Sequence, residues 1–178
     1  MSERYYTGIG SRQTPPDILD DMNMLAAELE RDGWWLRSGG AGGADEAFQS
    51  GVKEKAQIWL PWPNFAPHLK KQYPMHDYKV IGNHDEAASN HVLENHPNPK
   101  ALSRGGFSLH KRNYRQVVGI KEKNSSFVIC WTPDGKETGG TATAIKLAKS
   151  LGIPVFNLFD YCYFEVMHEA RKINQMTL

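Results

Sequence analysis

Apolar positions along this chain follow two periods in turn. Short runs such as Tyr5-Tyr6-Thr7-Gly8-Ile9, Trp34-Trp35-Leu36, Ile58-Trp59-Leu60, Phe127-Val128-Ile129-Cys130-Trp131 and Ile153-Pro154-Val155-Phe156-Asn157 are brief and rich in β-branched and aromatic residues. They predict buried strands. Between them, apolar residues recur at helical spacing. Ile18, Met22, Leu25, Ala26 and Leu29 form one stripe, opened by Pro15-Pro16, with Thr14 as the expected N-cap and Asp17 in the first turn. Ala44, Ala47, Phe48, Gly51 and Val52 mark a second helix, and others are expected near residues 109–121, 141–151 and 164–174. Strand alternating with helix predicts a parallel α/β sheet.

One stretch breaks this rhythm. Residues 61–108 hold Pro61, Pro63, Pro67, Pro74, Pro97 and Pro99, with one short helix expected between Asp85 and Asn95. A Pro-rich excursion of this length predicts an irregular insertion, either a lid over a site or a decorated loop. Without repeats or linkers, the 178 residues are expected to form one domain, closed by a C-terminal helix within 160–178.

Composition narrows the class of partner. A net charge of +1 gives no global attraction to nucleic acid, so any such binding must come from a local patch. Two cysteines, Cys130 and Cys162, are too few for a disulfide framework and favour a reducing cytoplasm. No apolar stretch approaches the roughly 20 residues needed to span a bilayer, and Met1-Ser2-Glu3-Arg4 lacks the start of a signal peptide. A cytoplasmic location without membrane partners is expected. The spacing of His84, His91 and His96 does not match a helical zinc pair, so no metal and no resident cofactor are expected.

Two glycine-rich turns carry the chemistry. Ser38-Gly39-Gly40-Ala41-Gly42-Gly43-Ala44-Asp45 follows the Trp34 strand, and Glu137-Thr138-Gly139-Gly140-Thr141 follows the Phe127 strand. A turn bare of side chains lets an anion reach main-chain N–H groups, and the following helix adds its positive end. With Gly8-Ile9-Gly10-Ser11-Arg12, three loops leave one edge of a parallel sheet, where ligands of such sheets bind. The dinucleotide fingerprint is excluded because Gln13 stands where its third glycine belongs, and no P-loop spacing occurs.

Gly10-Ser11-Arg12, the Ser38 to Asp45 run and Thr138-Gly139-Gly140-Thr141 together resemble the SLOG superfamily, which includes DNA-processing protein A, the Lonely Guy phosphoribohydrolases and YspA-type proteins. The resemblance covers about residues 5–60 and 105–157. It implies a Rossmann-like three-layer sandwich, mostly parallel, with helices on both faces, and a nucleotide-type ligand at the glycine loops. Leu109-His110-Lys111-Arg112-Asn113 is similar to the basic motif of the Lonely Guy enzymes, and Arg112-Asn113 also to DNA-processing protein A. On that resemblance, Gly10, Ser11, Arg12, Ser38, Gly39, Gly40, Ala41, Gly42, Gly43, Asp45, Arg112, Asn113, Thr138, Gly139, Gly140 and Thr141 are the expected ligand-binding residues.

The enzyme pattern places a catalytic Glu after the second turn, where this chain has Ile145. An apolar side chain cannot stabilise the positive centre formed when an N-glycosidic bond breaks. Asp45, Glu46 and Glu137 are the candidate replacement carboxylates; the alternatives are helix-dipole compensation for Asp45 and an exposed turn for Glu137. Arg12 either clasps a phosphate or is plain surface. Lys111 and Arg115 share a helical face that is expected to be partly solvated. Trp59 fits core packing, whereas Trp62 fits either packing or stacking on a base. Three readings follow: a nucleotide binder that also cleaves an N-glycosidic bond, a non-catalytic sensor of a nucleotide signal, and a binder of single-stranded nucleic acid. A homodimer through Tyr161, Tyr163 and Phe164 is compatible with each.

Overall fold

The computed structural model describes residues 2–121 and 123–176. Residue 1 of the expected N-terminus and residues 177 and 178 of the expected C-terminal segment lie outside them.

Among the described residues, six strands and seven α-helices follow one another as β1 (Arg4–Gly8), α1 (Pro16–Arg31), β2 (Trp34–Ser38), α2 (Ala44–Gly51), β3 (Ala56–Leu60), α3 (Pro67–Gln72), β4 (Asp77–Val80), α4 (Glu86–Asn95), α5 (Arg104–Val118), β5 (Val128–Cys130), α6 (Ala142–Ser150), β6 (Val155–Asn157) and α7 (Tyr163–Met176). The strands form one sheet in the order β4-β3-β2-β1-β5-β6, and every neighbouring pair is parallel. This is the Rossmann-like α/β sandwich.

The period-2 alternation of the strands sorts their side chains onto two faces. Tyr6, Trp34, Leu36, Ile58, Phe127, Ile129 and Phe156 meet α1, α2 and α7 in one core. Val128 and Cys130 meet Val117 and Val118 of α5 and Ala144, Ile145, Leu147 and Ala148 of α6 in the other. Burying one aromatic or large aliphatic side chain contributes roughly 1.5–3 kcal/mol, so both layers are held chiefly by these contacts.

The Pro-rich segment departs from the expected irregular insertion. The short helix at α4 is present, capped by Asp85, whose Oδ1 accepts from the Ala88 N–H at 3.1 Å. The same segment also supplies α3 and β4, and β4 extends the sheet by pairing with β3 from Gln57↔Asp77 to Leu60↔Val80. Its prolines lie in the connections or at the first turn of a helix, as Pro67 does, where a missing N–H costs nothing. Thr14 does not cap α1. The N-cap residue is Pro15, and the Thr14 hydroxyl donates instead to the Ser11 carbonyl at 2.7 Å.

Candidate functional site

Strand order reverses between β1 and β5, because β2 to β4 lie on one side of β1 and β5 and β6 on the other. The loops after β1 and β5 therefore diverge, and a crevice opens between them. The loop after β2 lies beside it, and Gly10 marks the junction. A Cβ on Gly10 would stand 2.7 Å from the Ala44 Cβ and 3.2 Å from the Trp131 carbonyl oxygen. Only glycine lets the three loops close to this distance.

The crevice is a cavity of about 590 Å³, within the usual size of a small-ligand site. The loop after β1 contributes Gly10, Ser11, Arg12 and Gln13, and the loop after β5 contributes Thr132, Pro133, Thr138, Gly139, Gly140 and Thr141. Helix α5 forms the remaining wall through Gly106, Leu109, His110, Arg112, Asn113 and Gln116, three to four residues apart along one face.

The two glycine turns play different parts. At the second, a Cβ on Gly139 or Gly140 would meet nothing within 4 Å, so this backbone is open to the cavity at the head of α6. Asn113 fixes it by donating from Nδ2 to the Gly140 carbonyl at 2.8 Å. The first turn is a packed wall. Of its residues only Ala41 and Asp45 line the cavity. Ser38 is buried and donates to the Gly8 carbonyl at 2.7 Å, Gly40 faces Leu60 and Ile58, and Gly43 lies against the backbone of Arg12. Gly39 is enclosed by Arg112, Gln116 and Asp45, and Gly42 faces open space outside the cavity lining.

Arg112 and Asp45 are buried together beneath this turn. Arg112 donates through a terminal guanidinium nitrogen to the Gly39 carbonyl at 2.6 Å and through Nε to Asn113 Oδ1 at 3.1 Å. Asp45 accepts from the Ala41 N–H at 3.4 Å. Burial pushes the Asp45 carboxyl up to about 6, although Arg112, the N–H groups of Ala41 and Gly39, and Arg12 all pull it down. Burial also lowers Arg112, against the attraction of Asp45. Arg12 differs from Arg112: it is exposed on the cavity rim, and its side chain makes no hydrogen bond or ion pair among the described residues.

Of the three candidate carboxylates only Asp45 reaches the cavity. Glu137 pairs with Lys149 outside it, and Glu46 lies in the first turn of α2 beyond the lining. Ile145 does not face the cavity either. Its side chain is packed in the core between α5 and α6, and the residue of that turn on the cavity wall is Ala144. The face shared by Lys111 and Arg115 is not solvated surface. Lys111 Nζ donates to the Gly82 carbonyl at 2.7 Å, and Arg115 grips Asp85 through two bonds of 2.7 Å.

Several lining residues escaped the sequence reading. His110 lies inside the basic motif but carried no role; its Nδ1 is 3.4 Å from Thr143 Oγ1, and its ring meets His96. Burial, then His96 and Arg112, lower its pKa. Gln116 could have been found from its place one turn beyond Arg112. Thr132 is held by Asn157, which donates from Nδ2 to its hydroxyl at 2.7 Å. Among the described residues no three His, Cys, Asp or Glu side chains gather as a metal site, and no helix is long and apolar enough to cross a membrane.

Fold and crevice together define a Rossmann-like α/β protein with a small-ligand-sized cavity where its strand order reverses. Among the solved structures that share that fold are two. One is DNA-processing protein A from Helicobacter pylori, which binds single-stranded DNA (TM-score 0.53, 18% identity, 87% of this chain). This chain spans 64% of its length. The other is the molybdenum cofactor carrier protein of Chlamydomonas reinhardtii (TM-score 0.53, 16% identity), matched over 98% of this chain and 99% of that one. At the level of sequence, no family model and no curated protein matches the chain.

Proposed function

We propose that the chain binds a nucleoside phosphate or related small nucleotide in this cavity and does not hydrolyse it. One observation carries the reading. The open Gly139-Gly140 backbone at the head of α6 and the exposed Arg12 line one cavity of small-ligand size. Main-chain N–H groups, a helix N-terminus and a guanidinium fork are the donors that a phosphate group requires. A carrier protein of the same fold, matched along its whole length, is consistent with binding as the function.

Among the described residues no carboxylate except Asp45 lines the cavity, which argues against N-glycosidic cleavage. Asp45 is committed to holding the first glycine turn beside Arg112, and Ala144 brings no acid to the α6 wall. The expected role is a sensor or sequestering protein for a nucleotide signal. Single-stranded nucleic acid is the second candidate, since the Helicobacter protein of this fold binds it. Here a net charge of +1 supplies little of the counterion-release affinity that such binding uses.

Calorimetric titration with adenosine 5′-monophosphate and with a short single-stranded oligonucleotide, both at physiological salt, tests the reading. Saturable mononucleotide binding, weakened about tenfold or more in Arg12→Ala with unchanged thermal stability, is the expected result. Tight oligonucleotide binding without mononucleotide binding would overturn it, as would release of free base during the incubation.

A further inference from the structure

Five buried polar side chains line the main cavity: Asp45, Arg112, Asn113, Gln116 and Thr132. Three of them are held firmly, Arg112 by the Gly39 carbonyl, Asn113 by the Gly140 carbonyl and Thr132 by Asn157. Gln116 is not. Its backbone carbonyl accepts from the hydroxyls of Thr7 at 2.7 Å and Ser125 at 3.4 Å, but its side-chain amide makes no hydrogen bond among the described residues. The residue is only 2% exposed, and a buried amide left without a partner is costly.

Asp45 is its neighbour. A Cβ on Gly39 would stand 2.4 Å from Gln116 Nε2 and 2.7 Å from Asp45 Oδ2, so both polar ends reach the same glycine, yet no hydrogen bond joins them. The N–H groups of Ala41 and Gly39 take at most two of the roughly four acceptor positions of the carboxylate, which leaves it free to accept again. Gln116 follows Arg112 by one turn of α5, which brings both to the cavity. The pair is also tied to the second glycine turn. A chain of bonds runs from the Gly140 carbonyl through Asn113 and Arg112 to the Gly39 carbonyl, where Gln116 and Asp45 meet.

We infer that Gln116 and Asp45 are the sugar subsite of this cavity and select a nucleotide that carries ribose hydroxyls over one that lacks them. The inference rests on the nucleotide reading of the cavity and adds the class of sugar. A hydroxyl both donates and accepts. Gln116 Nε2 donates to its oxygen, and the Asp45 carboxylate accepts its proton in a charge-assisted bond. Phosphate takes the Gly139-Gly140 turn and Arg12, on the lining of the same cavity. A sugar without hydroxyls keeps the phosphate contacts and leaves the Gln116 amide unpaired.

Calorimetry comparing adenosine 5′-monophosphate with its 2′,3′-dideoxy analogue, on the wild-type chain, Gln116→Leu and Asp45→Asn, separates the two claims. The wild type should bind the ribonucleotide about tenfold or more tightly, as sites built to hydrogen-bond a hydroxyl do. Gln116→Leu should erase that gap by weakening the ribonucleotide and leave the dideoxy affinity unchanged. Asp45→Asn, which keeps the shape of the side chain, should narrow it. Thermal unfolding identifies which variants are folded. Equal affinity of the wild type for both nucleotides, or an undiminished gap in either folded variant, overturns the sugar subsite while the phosphate site stands. If neither nucleotide binds the wild type, the nucleotide reading falls and the subsite falls with it.

Discussion

Gly39 and Gly140 each belong to a Gly-Gly pair in one of the two glycine turns, yet their surroundings give them different tasks. A methyl group on Gly39 would collide with the Arg112 guanidinium, the Gln116 amide and the Asp45 carboxylate, all of them buried. One on Gly140 would enter open space. Gly39→Ala should therefore destabilise the chain by about 2 kcal/mol or more, as overpacking a buried polar cluster does. Gly140→Ala should stay within about 0.5 kcal/mol of wild type. Urea unfolding of the two variants checks both expectations, and equal losses would show that the turns are equivalent. The sequence displays both as the same Gly-Gly pair. What distinguishes them is the approach of α5 from 73 residues away, which no local pattern encodes. Arg112, read as a ligand contact in the sequence, lines the cavity and also holds the first turn's carbonyl.

Helix α5 is the element on which the site depends most. One face lines the cavity, while Lys111 and Arg115 on another hold residues 82–85 to the helix. Asp85 is the hub of that arrangement, because it accepts from Arg115 and also caps α4. Burial alone would raise its pKa, but the Arg115 bonds and the Ala88 N–H outweigh burial and hold it below the usual carboxylate range. Asp85→Ala removes a cap worth about 1 kcal/mol together with a half-buried ion pair. Amide exchange should quicken throughout α4 and leave the β1 amides at their wild-type protection; uniform acceleration across the chain would refute a local anchor. Element existence was legible where apolar runs are strong, as in β1, β2 and β5. It failed for β4, Asp77-Tyr78-Lys79-Val80, because an edge strand is only half covered and needs no apolar run. Prolines nearby then disguised a regular β-α-β step as an insertion.

At the scale of the whole molecule, a buried carboxylate links global stability to pH. Asp45 has a folded value of about 6, above its ordinary 3.8, so the folded state takes up its proton first as pH falls. The contribution is present in full below the unfolded value and is lost as pH rises through about 6. The stability of wild type relative to Asp45→Asn should therefore fall by roughly 1 kcal/mol between pH 5 and pH 7. Parallel denaturation curves for the two proteins at both pH values would contradict this.

The strand order has a consequence for how the chain comes into being. Strand β1 lies at the centre of the sheet, but its second partner, β5, is not made until more than a hundred residues later. A chain emerging from the ribosome can assemble β1 to β4 and must then wait with one side of Tyr5-Tyr6-Thr7-Gly8 unpaired. The crevice does not exist during that interval, because one of its two diverging loops is still unmade. The cavity and the sheet are thus completed by the same late segment, and a truncated product would expose a sticky strand edge and lack the cavity.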